Sequence, residues 1–160
     1  MKEYIIDYSK RNIELEEEKS KSITKGCSTL VLLNALLLIP LVIAFLELLK
    51  IEVVRLFTTI FGFTITGLLI ASIILALLGL ILNRSYFTRS GKSILNSLSK
   101  KDTSKKEYLL DQTINDLDSI YLRKHINNSV SKTFLFISFS LNCAAYLVLI
   151  GAVITIMISI

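Results

Sequence analysis

Four polar residues, Asn34, Ser138, Asn142 and Tyr146, sit in strongly apolar stretches of this chain. An amide, hydroxyl or phenol in hydrocarbon needs a hydrogen-bond partner, because water is not there to supply one. Ser138, Asn142 and Tyr146 recur every four residues and so share one helix face. Asn34 falls in the same half of the membrane as Asn142, so the two can meet. Two uses stay open for this set. It can pack the helices of a three-helix bundle together, or it can line a wet path or hold subunits to one another.

The residues that usually carry covalent or metal chemistry are sparse. Cys27 lies at the start of one apolar stretch and Cys143 inside another, with no C-x-x-C spacing. Both read as small residues in helix packing. His125 is the single histidine, which rules out a histidine cluster within one chain. No P-loop, G-x-S-x-G, H-E-x-x-H or intramembrane aspartate pair occurs, and the many Ser and Thr hydroxyls lack a His or carboxylate base nearby. The expectation is a protein that is not an enzyme and uses no cofactor or metal.

The elements that position these residues are three apolar stretches, 27–49, 56–82 and 133–160. Each is long enough to cross a hydrocarbon core, which takes about 20 helical residues. With 160 residues, 52% of them hydrophobic, and a mean hydropathy of +0.63, the chain is too apolar for a soluble domain. The expected fold is an all-α membrane protein. It has three transmembrane helices, an N-terminal cytosolic helix over 1–25 and a small helical cytosolic module over 83–132, between spans two and three. The hairpin of spans one and two occupies 26–82. The first 25 residues hold six basic and six acidic side chains, unlike a secretory signal, so span one is expected to be an uncleaved anchor.

Charge orients the spans. Of the 18 Lys and Arg residues, 16 lie before span one or between spans two and three; only Lys50 and Arg55 lie between spans one and two. By the positive-inside rule the N-terminus and the 83–132 module are cytosolic, while the first loop and the C-terminus are outside. In a bacterium this is the inner membrane. The net charge of +5 is explained by these flanks, and nucleic-acid binding is not expected. No Asp, Glu, Lys or Arg sits near a membrane midplane, and Glu47 can reach the outer interface. That argues against a pump or a coupled transporter, as does the lack of an internal repeat.

Span packing should follow small and weakly polar residues. Span two offers Thr59, Gly62, Thr66 and Gly67 in its outer half and Ser72, Ala76 and Gly79 in its inner half. Span three adds Gly151, Thr155 and Ser159, and Pro40 should bend span one.

The cytosolic parts carry their own patterns. Ile6, Ser9, Ile13, Glu16, Ser20 and Ile23 alternate three- and four-residue steps, a heptad seam with polar residues at half its positions. Either a solvated helix or an oligomerisation collar fits it. Glu17 and Lys21 form a favourable i,i+4 pair. Asn83, Arg84, Ser85, Tyr86 and Phe87 read as a membrane exit, Gly91 as an interruption, and 99–104 as a break before a helix over 104–127. That helix bears an apolar stripe of Leu110, Ile114, Leu117 and Tyr121. The stripe needs a second surface: the N-terminal helix, a neighbouring subunit or an external partner.

The run from Glu16 to Leu30, with Leu33, Asn34 and Ala35 after it, resembles the first-span region of small bacterial membrane proteins in antiphage systems. These are the Pycsar-type and SLATT-type transmembrane effectors of cyclic-nucleotide-linked defence. The stretch Tyr108 to Gln112, with Asp116, Leu117, Asn127, Asn128 and Lys132, is similar to the cytosolic helix before the last span in related three-span proteins. Gly26, Thr24 and the third span depart from the usual pattern. The resemblance implies an oligomeric effector that disrupts the inner membrane when a cytosolic signal, such as a nucleotide, arrives. Its partners would be the lipid bilayer, further copies of itself and a cytosolic protein or nucleotide signal. The competing expectation is a non-enzymatic scaffold, accessory or immunity subunit that recruits or blocks a partner protein.

Overall fold

The computed structural model describes residues 2–51, 55–84 and 106–159. They form three α-helices: α1 (Lys2–Leu48), α2 (Arg55–Arg84) and α3 (Lys106–Ser159). All three are long and apolar enough to cross a membrane. The Ser85, Tyr86 and Phe87 part of the exit, Gly91 and the break over 99–104 lie outside the described residues.

The helices differ in length, and the difference shapes the molecule. At a rise of 1.5 Å per residue, the 30 residues of α2 span ~45 Å, close to the thickness of a bilayer with its head groups. The 47 residues of α1 and the 54 of α3 span ~70 and ~80 Å. Both therefore overhang α2. The helix expected over 104–127 and the apolar stretch 133–160 are one element, as are 1–25 and span one. No Gly or Pro falls between Thr113 and Ile150 to interrupt α3. Pro40 lies within α1, which continues to Leu48.

Cross-helix pairs give the helix directions. Glu16 bonds Asn128, and Gly26 packs on Leu135, so α1 and α3 run the same way. Thr24 meets Asn83 and Asn34 meets Ser72, so α2 runs against them. The α1–α2 turn closes with Leu49 donating to the Phe45 carbonyl at 3.0 Å and Ile51 to that of Leu48 at 3.1 Å. Glu47 accepts from Lys50 at 2.7 Å beside it.

The buried residues follow one rule in all three helices. In α1 they are Ile6, Ser9, Glu16, Ser20, Ile23, Cys27, Leu30 and Asn34, with Ile13 half-buried in the gap. In α2 they are Thr58, Gly62, Ile65, Leu69, Ser72, Ala76, Gly79 and Asn83. In α3 the steps from Leu117 run through Tyr121, Lys124, Asn128, Ser131, Leu135, Ser138, Asn142, Ala145, Leu149 and Ala152, each buried or half-buried. Alternating steps of three and four keep one seam facing the partners, as in a coiled coil. The seam predicted for residues 6–23 thus continues through the apolar part of α1 and is matched by the other two helices.

What fills the seam is small or polar, while Leu32, Leu36, Phe63, Phe136, Leu147 and Met157 point outward. Gly79 sits against both other helices: a Cβ there would meet Cys27 Sγ at 3.1 Å and the Ser131 carbonyl at 3.6 Å. Gly62 faces the Phe45 ring in the same way, at 3.3 Å. Gly67 and Gly151 have open space around them, and Cys143 is exposed. Replacing Gly79 with Leu should destabilise the bundle by about 1–3 kcal/mol through overpacking, whereas Gly67→Leu should be neutral. Thermal unfolding of the two variants in detergent micelles, followed by helical circular dichroism, distinguishes these outcomes.

Candidate functional site, a polar seam between the three helices

Three hydrogen-bonded layers join the helices, and each begins with a seam position. The first lies where α1 and α3 extend past the end of α2. Glu16 is only 2% exposed. Asn128 Nδ2 donates to both the Glu16 carbonyl and Oε2, each at 2.8 Å. Lys19 Nζ donates to Oε1 at 2.7 Å. His125 Nδ1 lies 3.3 Å from the same oxygen and donates to it when that nitrogen carries the proton. Beside this cluster Lys124 pairs with Glu17 across the helices, a link that takes Glu17 away from the i,i+4 pairing with Lys21 expected within α1. The Tyr121 ring stacks on His125, centroids 5.8 Å apart at 22°.

Burial is the largest single influence on the Glu16 carboxyl and pushes its pKa up. Hydrogen bonds from Lys19, Asn128 and His125, with the Lys19 charge, together outweigh it and bring the pKa down from 4.5 to about 2. The Lys19 ammonium is shifted the opposite way, upward, by its bond to Glu16 and by that carboxylate's charge.

The second layer belongs to Asn83, which uses its whole amide. Nδ2 donates to the Ser20 carbonyl at 2.8 Å and to Thr24 Oγ1 at 2.9 Å, and Oδ1 accepts from Ser20 Oγ at 2.7 Å. This ties the end of α2 to α1 just short of the apolar stretch. The third layer lies inside the apolar part. Asn34 Nδ2 donates to Ser72 Oγ at 2.9 Å. Ser72 and Ser138 then exchange bonds, each hydroxyl donating to the other residue's backbone carbonyl at 2.9 Å. One layer therefore links α1, α2 and α3.

Of the four residues first singled out, Asn34 and Ser138 meet in this third layer through Ser72. Asn142 is buried in the seam one step further along α3. Tyr146 is 37% exposed, on the outward side. Asn34 bonds Ser72 rather than Asn142. Among the described residues, buried side-chain atoms without a hydrogen-bond partner are Asn34 Oδ1, Thr58 Oγ1 and Asn142 Oδ1 in the apolar stretches, Ser131 Oγ just before the third stretch, and Asn127 Nδ2 beside the Glu16 layer. Of the stripe residues, Leu117 is 3% exposed within the single chain, and Ile114 and Tyr121 are half-buried. Leu110 lies in α3, its side chain outside the described residues.

No protein-family model, curated protein or solved structure matches the chain. The seam must therefore be read from its own chemistry. Among the described residues no three His, Cys, Asp or Glu side chains gather as a metal site requires. What the layers do is hold helices in register by directional bonds. Asn83 and Asn128 are the layer members whose roles motif searching misses, whereas Ser72 was expected at a packing face and Thr58 sits in the seam without a partner. Extending the three-four step from Ile23 to Asn34, and tracing the same step backward from Asn83, finds most of them.

The Glu16 layer gives a pH prediction. Because its pKa is lower in the folded chain than in the unfolded one, its contribution is complete above about pH 4.5 and is lost as pH falls from there through about 2. That lowering is worth on the order of 3 kcal/mol. Glu16→Gln should therefore be less stable than the parent at pH 7 and should lose less stability than the parent between pH 5 and 2. Urea unfolding in micelles across that range measures it, and parallel curves for the two proteins contradict the assignment.

Proposed function

We propose that the chain is an oligomeric inner-membrane effector, in the manner of antiphage membrane effectors, that perturbs or permeabilises the bilayer when a cytosolic signal arrives. The observation that carries this reading is the continuity of α1 and α3 from the Glu16–Asn128 layer into the polar seam of the apolar part. A rigid helix transmits displacement, so a ligand or partner acting at the overhanging end moves the spans directly. The seam it moves is held by hydrogen bonds and contains four acceptors or hydroxyls with no partner. Repacking between copies, or admission of water, supplies what the closed bundle leaves unmet. In this reading the overhanging end is cytosolic, as the positive-inside count expects, and the bundle described here is the resting form. Asn34, Ser138 and Asn142 become groups that change partners on opening, and Tyr146 contributes from the lipid or neighbour side.

Expression with the cognate signal in cells carrying a membrane-potential dye tests this. Depolarisation and arrested growth are expected. Asn142→Leu, which removes the partnerless amide, should weaken the response about tenfold or more while the helical content is kept. Unchanged potential at full induction with the signal present sinks the proposal.

A second reading, a scaffold, accessory or immunity subunit, is favoured by one specific feature. Tyr4, Tyr8, Leu15, Leu122 and Ile126 are exposed large side chains outside the apolar stretches, on the parts of α1 and α3 that overhang. Ile126→Lys leaves the internal seam untouched. On the scaffold reading it abolishes co-purification of a cytosolic partner, and the protein alone never alters the potential. On the effector reading it changes the oligomer size.

A further inference from the structure

A groove of about 490 Å³ opens between α1 and α3, just where their apolar stretches begin. Its polar wall holds Lys19, Lys132 and His125, with the hydroxyls of Ser22 and Ser129. Its apolar wall is Ile23 and Leu135. Leu135 packs onto the bare backbone of Gly26, which draws α3 towards α1 below the groove and gives it a floor. Cys27 and Thr133, one residue beyond Gly26 and Lys132, begin the two apolar stretches, so the groove lies at head-group height if the helices cross a membrane.

The geometry points to this groove as a binding site for the phosphate head group of an anionic phospholipid, with the first part of an acyl chain along Ile23 and Leu135. Charge complementarity is the argument. One carboxylate, Glu16, also lines the groove. Its two oxygens are already occupied by Lys19 and Asn128, and Lys19 covers it on the solvent side, the Lys19 side chain being 60% exposed. Among the described residues no acidic group is within ion-pair distance of Lys132. With Lys19 paired to Glu16, the Lys132 ammonium leaves the pocket net positive, and the serine hydroxyls supply short-range donors to phosphate oxygens. A soluble phosphate ester shares that chemistry but has no use for the apolar wall. A lipid uses both walls.

The test uses the full chain in dodecyl maltoside, titrated with phosphatidylglycerol or phosphatidylcholine and read by native mass spectrometry. Phosphatidylglycerol should bind with preference. Lys132→Gln should weaken it about fivefold, the factor expected for one basic residue near an anionic surface, and Lys132→Glu should weaken it further. Lys132→Arg should restore it. Lys50→Gln, at the far turn of the bundle, should change nothing. Helical circular dichroism checks that the Lys132 variants remain folded. Equal binding of the two lipids, or binding insensitive to Lys132→Glu, overturns the proposal. Equally tight binding of glycerol phosphate without lipid also overturns it, because the occupant would then be a soluble anion.

Discussion

Helices that meet inside hydrocarbon gain nothing from burying leucine, because the lipid tails they leave are as apolar as the neighbour they reach. Association has to come from close packing and from hydrogen bonds that lipid cannot offer. Everything else in this molecule follows from that constraint. The seam positions are Gly, Ala, Cys, Ser, Thr and Asn wherever the helices run through the apolar part, with a few Leu and Ile between them. The bulky side chains face outward. An Asn34–Ser72–Ser138 layer that would be a liability in a soluble core becomes the joint that sets register, since slipping any helix by one residue would strand its polar groups in hydrocarbon.

The same seam changes character along its length without changing its step. In the apolar part neutral groups bond to one another. At the overhanging end the seam takes a charged group, Glu16, with Lys19, Asn128 and His125 around it. Water near this end lowers the cost of holding an ion, and the fully occupied carboxylate keeps it charged well below neutral pH. Between the two, Asn83 fastens the shorter α2 to α1. The bundle thus has one ionic joint and one neutral joint, with the basic groove at their boundary.

Among the described residues, five buried polar atoms without partners are the exception to this order. A packed native structure meets nearly all of its buried hydrogen-bonding capacity. Three of the five, on Asn34, Thr58 and Asn142, lie within the apolar stretches, and that is where the proposed function places the rearrangement. The exposed apolar residues of the overhang are the other surplus.

Composition alone determined that three helices are long and apolar enough to cross a membrane and where their apolar stretches fall, because hydropathy averaged over a span needs no knowledge of its neighbours, but not that the first and third helices run on unbroken from Lys2 and Lys106. The seam over residues 6–23 was legible too, since a three-four step is a property of one helix. Only the tertiary structure decided which polar residue meets which. Asn34 was expected beside Asn142 because both lie in the same half of the membrane, but depth does not specify rotation, and rotation about the helix axis brings Asn34 to Ser72. Glu17 forsakes Lys21 for Lys124 for the same reason: a pair within one helix is fixed by sequence separation, whereas a pair between helices depends on the register that all the layers set together. Leu117 similarly finds its cover inside the chain, which no count of stripe positions on a single helix can reveal.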